Sequence, residues 1–258
     1  MPLLELAGVT LRFGGLAALG GLDWGVEAGA VAALIGPNGA GKTTAFNVVT
    51  GVYPPTLGQI RFDGREIGGE PPHRIAALGI ARTFQNIRLF RALSALENVV
   101  AALVAAERPG FADVVRAPRW RARERELAAR GRELLARLGL ERYADARADA
   151  LPYGEQRRLE IARALATGPR LLLLDEPAAG MNPAEKDALR ELVARLRREF
   201  SLTIVLIDHD VRFVMGLCER ITVLDHGEKI AEGGPEQVRS DPRVIEAYLG
   251  SPADPAAA

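Results

Sequence analysis

The chain has 258 residues, and its 33 lysines and arginines are balanced by 33 aspartates and glutamates. This length suits one substantial α/β domain or a core with a smaller attached lobe, and the neutral balance argues against a large nucleic-acid-binding surface. The single cysteine, Cys218, excludes an internal disulfide, suits a reducing compartment, and lies in an apolar helical stretch where we expect a small core residue.

The N-terminus lacks the basic start and apolar core of a signal peptide. The longest apolar stretches, such as 99–106, are shorter than the roughly 18 residues that a membrane-spanning helix needs. We therefore expect a soluble, cytoplasmic protein that acts at a membrane only through partners.

The first part of the chain is rich in short β-forming stretches. Residues 3–13, 17–26 and 59–62 favour strands that are separated by glycine pairs and closed by Asp63 and Gly64. They predict an antiparallel sheet beside a buried strand over 31–35.

A glycine-rich loop of the form G-x-x-x-x-G-K-[ST] separates that buried strand from a predicted helix. Glycines let the backbone approach phosphate oxygens, and the amides at the start of the helix face the anion. Lys42 is expected to reach the β- and γ-phosphates, and the Thr43 hydroxyl is expected to bind Mg²⁺. A glycine-rich turn that happens to precede a lysine is the alternative, which the flanking strand and helix disfavour. The residues predicted to hold the nucleotide are Gly36, Pro37, Asn38, Gly39, Ala40, Gly41, Lys42, Thr43 and Thr44.

The middle of the chain is mainly helical. Pro71 and Pro72 predict the start of a short helix, which is followed by a strand ending at Gln85. From Ser94 onward apolar residues recur at helical spacing. Residues 116–137 interleave arginine with glutamate, which favours a solvated helix with ion pairs over a nucleic-acid patch.

After Tyr153 and Gly154, helices alternate with apolar strands, which predicts a parallel sheet with crossover helices. The residues from Ser251 onward are expected to be frayed. The predicted elements are a helix over 156–166, a strand over 171–174, a helix over 184–198, a strand over 202–207, a helix over 211–217 and a strand over 221–224.

Charged residues follow two of the apolar strands, at the sheet edge where ligands bind in an open α/β fold. We assign Asp175 to Mg²⁺ and Glu176 to polarising the attacking water. Alone, this pair of acids is typical of a solvated strand end, but the loop upstream favours function. His209 ends another apolar strand, which favours contact with the γ-phosphate, whereas His73 and His226 are interpreted as surface residues.

Two further residues are candidates on weaker grounds. The amide of Gln85 could reach Mg²⁺ or the attacking water. The ring of Phe13 could stack on a nucleotide base, although packing within a strand is nearly as plausible. The three histidines and one cysteine have no metal-site spacing.

In order and spacing these motifs resemble those of the ATP-binding subunits of ABC transporters. Phe13 falls at the adenine-stacking aromatic, 36–44 at the Walker A loop and Gln85 at the Q-loop glutamine. Residues 171–176 fall at Walker B with its catalytic glutamate, and His209 falls at the switch histidine. The residues at the family signature, which the resemblance implies contact nucleotide, are Pro152, Tyr153, Gly154 and Glu155.

This resemblance implies an α/β, RecA-like P-loop core with an antiparallel edge sheet and an inserted helical subdomain. The core is expected over 1–85 and 154–235, the helical subdomain over 86–153, and a C-terminal helix with a frayed tail over 236–258. The implied ligands are ATP and Mg²⁺, and the implied activity is transport-coupled ATP hydrolysis at the inner face of the cell membrane. The implied partners are a second ATPase subunit, identical or distinct, in a head-to-tail dimer, two membrane permease subunits and, indirectly, a periplasmic or extracellular binding protein. No nucleic-acid partner is expected.

Within that family, residues 82–90, 153–163, 176–183 and 244–250 look like the first ATPase subunit of branched-chain amino-acid importers. Importers of urea and short amides share most of these features, and the lipopolysaccharide-extraction ATPases are a further alternative. A soluble ABC ATPase acting on DNA or ribosomes is disfavoured by the single Walker A loop and the neutral charge.

Two residues depart from the general ABC pattern. Pro152 replaces the signature serine, and Asn182 replaces the aspartate of the D-loop, 178–183. Close relatives within the amino-acid importers also vary at both positions, so we do not interpret either change as inactivating. They leave the contacts to the γ-phosphate across the dimer open.

Overall fold

The structure of the chain, a computed structural model, describes residues 2–107 and 117–249. The described residues form two compact units, one built from residues up to Ile75 together with those from Leu173 onward, and the other from Ala76–Leu172. The predicted helical subdomain, 86–153, lies within the second unit. The tail predicted to be frayed lies outside the described residues.

The first unit contains a four-stranded antiparallel sheet with the order β2-β1-β4-β5. Strands β1 and β2 form a hairpin, in which Phe13 pairs with Leu16 across the turn at Gly14 and Gly15. This hairpin carries Phe13 to its tip. The strand bounds are β1 Pro2–Phe13, β2 Leu16–Glu27, β4 Leu57–Phe62 and β5 Arg65–Glu66.

A second sheet has the order β10-β9-β3-β8-β7-β6, with β3 running parallel to both β8 and β9. Every residue of β3, β7 and β8 is buried, as expected for parallel strands covered on both faces. The carboxyl ends of these strands therefore bring their following loops to one edge. The strand bounds are β3 Val31–Ile35, β6 Ile80–Arg82, β7 Leu171–Asp175, β8 Thr203–Ile207, β9 Arg220–Asp225 and β10 Glu228–Gly233.

The antiparallel edge strand β10 was not predicted from the sequence. It pairs with β9 across a turn in which His226 and Gly227 both have positive φ, 46° and 82°. Positive φ at both central residues matches the right-handed twist of a two-residue hairpin. Histidine is not among the usual signals for that turn, which explains why the strand was missed.

The helix Pro183–Phe200 of the first unit begins with a side-chain cap. Asn182 caps the helix Pro183–Phe200: its side chain accepts from the Glu185 amide at 3.0 Å, and the Glu185 carboxylate accepts from the Asn182 amide at 2.8 Å. This reciprocal pair is a capping box, and Pro183 suits the first helical position. The other helices are Lys42–Val49, Val211–Met215, Pro235–Ser240 and Pro242–Leu249, with Pro72–Ala77 at the end of the unit's first segment.

The second unit is built on the helices Ala95–Glu107, Ala117–Arg137 and Tyr153–Ala166. Buried leucines such as Leu135 and Leu159 form its core. The arginine- and glutamate-rich helix carries solvated ion pairs, among them Arg137–Glu133 at 2.7 Å, which confirms the prediction for that stretch. Two 3₁₀ turns, Glu141–Tyr143 and Ala148–Ala150, precede the last helix.

Cys218 is buried, as predicted, and burial raises the pKa of its thiol well above the ordinary range. Among the helices of residues 2–107 and 117–249, none combines the length and the hydropathy needed to cross a bilayer.

Candidate nucleotide-binding site

The glycine-rich loop follows β3 directly, and two of its glycines are required by close backbone contacts. A Cβ at Gly36 would lie 2.1 Å from the Leu224 carbonyl oxygen, and a Cβ at Gly41 would lie 2.8 Å from the Ala18 carbonyl oxygen. Both residues also have positive φ, 149° and 97°, which side chains rarely tolerate. At Gly39 a Cβ would meet nothing within 4 Å. The loop is thus packed against β9 at its start and against β2 at its end, and it is open at Gly39.

Lys42 is folded into this loop. Its Nζ donates to the carbonyls of Gly36 at 2.7 Å and Pro37 at 2.8 Å. Burial lowers the pKa of Lys42, and the negative charges of Glu176 and Asp175 oppose part of that shift. A cationic donor therefore lies inside the loop, and the charges of two carboxylates act on it.

The two carboxylates follow each other at the end of β7. Asp175 is the last residue of the strand and is buried. Glu176 adopts a left-handed backbone with φ 48°, and its amide donates to the Ile207 carbonyl at 2.8 Å. Such a conformation costs a non-glycine residue about 1–3 kcal/mol. The left-handed conformation of Glu176 turns the chain directly after Asp175, the last residue of β7.

The predicted site residue His209 lies beside Glu176, with 4.0 Å between its Nδ1 and the Glu176 Oε2. The strand before it ends at Ile207, as predicted for the element 202–207, so His209 lies in the loop that follows the strand. The structure thus brings together the lysine, both acids and the histidine within the first unit.

Two aspartates that flank His209 were missed by sequence analysis. Asp208 is buried and accepts from the amides of Ala178 at 3.2 Å and Asp210 at 2.9 Å. Burial is the main cause of the raised pKa of Asp208. The carboxylate thereby ties the loop around His209 to the D-loop. An acid on each side of a histidine at a strand end was the available signal.

Asp210 ties the same loop to the helix after the D-loop. Its carboxylate accepts from the Phe213 amide at 3.0 Å and forms an ion pair with Lys186 at 2.5 Å. The Lys186 ammonium is the main reason that the pKa of Asp210 is lowered. His209 is therefore held on both sides.

Phe13 is 47% exposed at the hairpin tip. Its ring contacts Tyr53 edge to face, with 5.2 Å between centroids and 82° between planes. The ring is therefore outside the core of the sheet, where a flat ligand could reach it.

In the second unit, the helix Tyr153–Ala166 holds the segment that contains Gln85. Arg157 donates to the carbonyls of Phe84 at 2.7 Å and Gln85 at 2.5 Å. Glu160 accepts from the amides of Phe84 at 3.3 Å and Arg88 at 3.2 Å, and it pairs with Arg157 at 3.2 Å. Arg157 is 4% exposed and Glu160 5%.

The same segment is fixed farther along by Phe90. Asn98 is buried, accepts from the Phe90 amide at 2.9 Å and donates to its carbonyl at 3.0 Å. Arg163 donates to the Arg88 carbonyl and lies over the Phe90 ring at 4.7 Å. Residues 84–90 are thus held by side chains, and β6 ends at Arg82, three residues before the strand end predicted at Gln85.

The signature residues form the first turn of the helix Tyr153–Ala166, which begins three residues earlier than predicted. Pro152 occupies the N-cap, and its carbonyl accepts from the amides of Glu155 and Gln156, both at 3.0 Å. The first turn also contains the amides of Tyr153 and Gly154. The first amides of a helix have no hydrogen-bond acceptor within the helix.

The donor types fit Mg²⁺. Thr43 and Asp175 belong to the first unit and Gln85 to the second, and they offer hydroxyl, carboxylate and amide oxygens, which Mg²⁺ prefers. Among the described residues, no three histidine, cysteine or acidic side chains gather as a metal site.

A cavity of about 650 Å³ lies beside the glycine-rich loop. It is lined by residues 37–40 and by the C-terminal helix, including Arg243 and Glu246. Burial raises the pKa of Tyr248 on that helix, and an interaction with the Gly36 amide offsets part of the shift. The helix therefore lies against the base of the loop.

Comparison with known families finds two matches along the sequence. Residues 19–179 match the ABC transporter family. Residues 228–254 match the family described as branched-chain amino acid ATP-binding cassette transporter. The first match contains the glycine-rich loop, both strand-end acids and the signature.

Individual relatives agree with these matches. The chain is 49% identical over 250 residues to the high-affinity branched-chain amino acid transport ATP-binding protein BraF of Pseudomonas aeruginosa, covering 96% of this chain and 98% of that protein. It is similar in fold to the ADP conformation of MJ1267, an ATP-binding cassette of an ABC transporter, with a TM-score of 0.85, 32% identity and 97% and 99% of the two chains covered. It is also similar to MJ0796 in a dimeric post-hydrolysis state bound to ADP and Pi, with a TM-score of 0.76, 28% identity and 90% and 98% covered.

Proposed function

Because this chain belongs to the ABC transporter family, we propose that it hydrolyses ATP to energise the import of branched-chain amino acids. The observation that carries the proposal is Lys42, whose ammonium lies inside the glycine-rich loop beside Asp175 and Glu176. The name of the relative BraF and the match over residues 228–254 support branched-chain amino acids as the transported solute.

The γ- and β-phosphates of ATP would replace the Gly36 and Pro37 carbonyls as partners of Lys42. The loop amides and the start of the helix Lys42–Val49 would surround the same phosphates. Phe13 would stack on the base. Thr43, Asp175 and Gln85 are the residues proposed to hold Mg²⁺, which neutralises phosphate charge when bound.

Glu176 is proposed to accept a proton from the attacking water, and His209 to contact the γ-phosphate beside it. Positioned proton acceptors contribute roughly 10²–10⁴-fold to rate. Glu176→Gln should therefore slow hydrolysis by about that factor, while nucleotide binding, measured by calorimetry, is retained. A Glu176→Gln protein that hydrolyses ATP at the parent rate would show that another group takes the proton.

A second ATPase subunit is proposed to complete the site in a head-to-tail dimer. The dimeric state of MJ0796 supports this arrangement. In it, Pro152, Tyr153, Gly154 and Glu155 of one subunit would face the nucleotide of the other. Since the Glu155 amide donates to the Pro152 carbonyl, the amides of Tyr153 and Gly154 would hold the phosphate instead of a serine hydroxyl.

The dimer is proposed to work at the inner face of the cell membrane on two permease subunits, which receive solute from a periplasmic or extracellular binding protein. The exposed side chains Phe90, at the end of the fixed segment 84–90, and Leu93, just after it, offer an apolar surface for a permease. Through this surface, closure of the dimer on ATP binding would change the conformation of the permeases.

Uptake of radiolabelled leucine and urea tests the substrate in cells whose own copy of the gene is deleted. We expect the wild-type chain to restore leucine uptake and Glu176→Gln not to restore it, although both accumulate equally. Restored urea uptake without leucine uptake would favour an amide importer. If deletion of the gene leaves the uptake of leucine and of urea unchanged but causes a defect in the outer membrane, lipopolysaccharide extraction would be favoured.

A further inference from the structure

The aromatic pair Phe13–Tyr53 joins two segments that are far apart in the sequence. Phe13 ends β1, and Tyr53 lies four residues after the last residue of the helix Lys42–Val49. Their rings are perpendicular, with centroids 5.2 Å apart. Perpendicular pairs at this separation are favourable contacts between aromatic rings.

In a perpendicular pair, at most one face of the Phe13 ring is covered by Tyr53. Phe13 is 47% exposed, which is compatible with a flat ligand on the other face. The turn beside it provides little support, because a Cβ at Gly14 or Gly15 would meet nothing within 4 Å. Tyr53 is therefore the aromatic neighbour that fixes the ring in its orientation.

Tyr53 is itself tied to the helix that starts at Lys42. The amides of Val52 and Tyr53 both donate to the Asn47 carbonyl, at 2.8 and 3.4 Å. These bonds extend the last turn of the helix into the segment that carries the tyrosine. The backbone of Tyr53 is thus held by the helix that follows the glycine-rich loop.

The same segment is also tied to the end of β1. The Thr56 amide donates to the Thr10 carbonyl at 2.8 Å, and the Arg12 amide donates to the Thr56 hydroxyl oxygen at 3.1 Å. Segment 52–56 therefore spans the distance between the phosphate-binding helix and the strand that carries Phe13.

We propose that Tyr53 is a positioning residue for the base of the bound nucleotide: its ring holds the Phe13 ring at the distance from the phosphate loop that an adenine nucleotide requires. This inference rests on the proposed stacking of Phe13 on the base. It assigns Tyr53 a part in base recognition and none in contact with the phosphates.

The proposal separates binding of the base from binding of the phosphates. Without the Tyr53 ring, affinity for ATP should fall about 2- to 12-fold, the factor that an aromatic pair contributes. Affinity for inorganic tripolyphosphate, which has no base, should stay unchanged. In steady-state hydrolysis KM should rise while kcat stays the same.

Calorimetric titration with Mg-ATP and with Mg-tripolyphosphate tests this in the full chain carrying Glu176→Gln, which is expected to slow hydrolysis during the titration. The variants are Tyr53→Leu and Tyr53→Met, which remove the ring, and Tyr53→Phe, which keeps it. Phe13→Leu tests the stacking residue, and the exposed neighbour Val52→Ala is the matched control. Thermal unfolding without ligand establishes that each variant is folded.

We expect weaker ATP binding for Tyr53→Leu, Tyr53→Met and Phe13→Leu, and parent affinity for Tyr53→Phe and Val52→Ala. Parent affinity in both ring-deleted Tyr53 variants, with a loss in Phe13→Leu, would overturn the inference and leave the stacking proposal standing. Equal losses for ATP and tripolyphosphate would also overturn it, since Tyr53 would then support the phosphate loop. No loss in Phe13→Leu would overturn the stacking proposal itself.

Discussion

In the first unit the ammonium group of Lys42 rests on two loop carbonyls near a pair of carboxylates, whereas in the second unit Arg157 and Glu160 are buried against the backbone of residues 84–88. Both arrangements join charged side chains to backbone groups. In the first unit the backbone holds the charge of Lys42 in place, where we propose that a ligand binds. In the second unit the charges hold the backbone of a loop.

The difference predicts two kinds of mutational damage. A charge that faces a ligand contributes little to folding, so its loss should affect binding. A buried pair that binds backbone groups leaves an uncompensated charge when one member is removed, so its loss should affect stability. The two kinds can be separated by measuring binding and unfolding on the same variants.

The largest effect is expected for Lys42→Ala. We expect calorimetry to detect no ATP binding, because the positive charge is lost from the phosphate loop, while unfolding without nucleotide changes by less than about 1.5 kcal/mol. The control is Lys229→Ala, which removes a lysine paired with Glu232 on β10 and should bind ATP normally. If Lys42→Ala lowered the free energy of unfolding and left ATP binding intact, the proposed difference between the two units would be wrong.

Arg157→Met should give the opposite result. We expect the free energy of unfolding to fall by about 3–5 kcal/mol, because Glu160 stays buried without its partner. The matched control is Arg158→Met on the same helix, whose pair with Glu155 at 3.4 Å is more exposed and contributes under about 1 kcal/mol. Equal losses in the two variants, measured by denaturant titration, would contradict a structural role for the buried pair.

Asp208 lies in the first unit but resembles the buried pair of the second, because its carboxylate is buried and binds backbone amides. It tests whether burial, and not the unit, determines the effect of a mutation. Its raised folded-state pKa means that the folded protein binds this proton more tightly than the unfolded chain does. Its stabilising contribution is therefore complete below the ordinary aspartate pKa and is lost as the pH rises through the folded value.

Asp208→Asn removes that titration and one of the two backbone contacts, which costs about 1–3 kcal/mol. Relative to the parent, its deficit in unfolding free energy should grow as the pH falls from neutral towards the ordinary aspartate pKa. Thermal unfolding of both proteins across that range is the measurement. A deficit independent of pH would mean that Asp208 titrates alike in both states.

The smallest effect is expected at the helix cap Asn182, which has no formal charge. Asn182→Ala should lower stability by about 0.5–2 kcal/mol, whereas Asn182→Asp should preserve it, because both residues cap helices equally well. Replacing the family's D-loop aspartate by asparagine therefore keeps the start of the helix Pro183–Phe200. If thermal unfolding found the aspartate variant as unstable as the alanine variant, the capping explanation would be wrong.

The sequence predicted the parallel sheet and the antiparallel sheet because their patterns are local. Apolar runs such as 31–35 and 171–174 are long enough to require burial on both faces, and the glycine-rich loop between a strand and a helix has few other interpretations. The strand end predicted at Gln85 was three residues too late, because β6 ends at Arg82. Apolar side chains continue past the last ladder hydrogen bond, so hydrophobicity alone does not mark the end.

The contacts of Arg157, Glu160 and Asn98 could not be predicted in the same way. Arg157 and Glu160 bind backbone groups 72–76 residues away in the sequence, so no local spacing relates donor to acceptor. Asn98 binds Phe90 over only eight residues, but it lies in an apolar helix where asparagine has no distinctive pattern. Side chains that hold a loop are recognised from three-dimensional contacts, whereas ligand-facing residues repeat in motifs.

The buried state of Cys218 has a practical consequence for spectroscopy. It is the single cysteine of the chain, and its raised pKa keeps the thiol protonated at neutral pH, so maleimide reagents should leave the folded protein unmodified. The natural sequence therefore serves as an unlabelled background without further mutation. A cysteine introduced at exposed Ala28 or Ala129 would place a fluorophore or spin label at one chosen point, in the first or the second unit respectively, and could report on the motion of that unit during turnover.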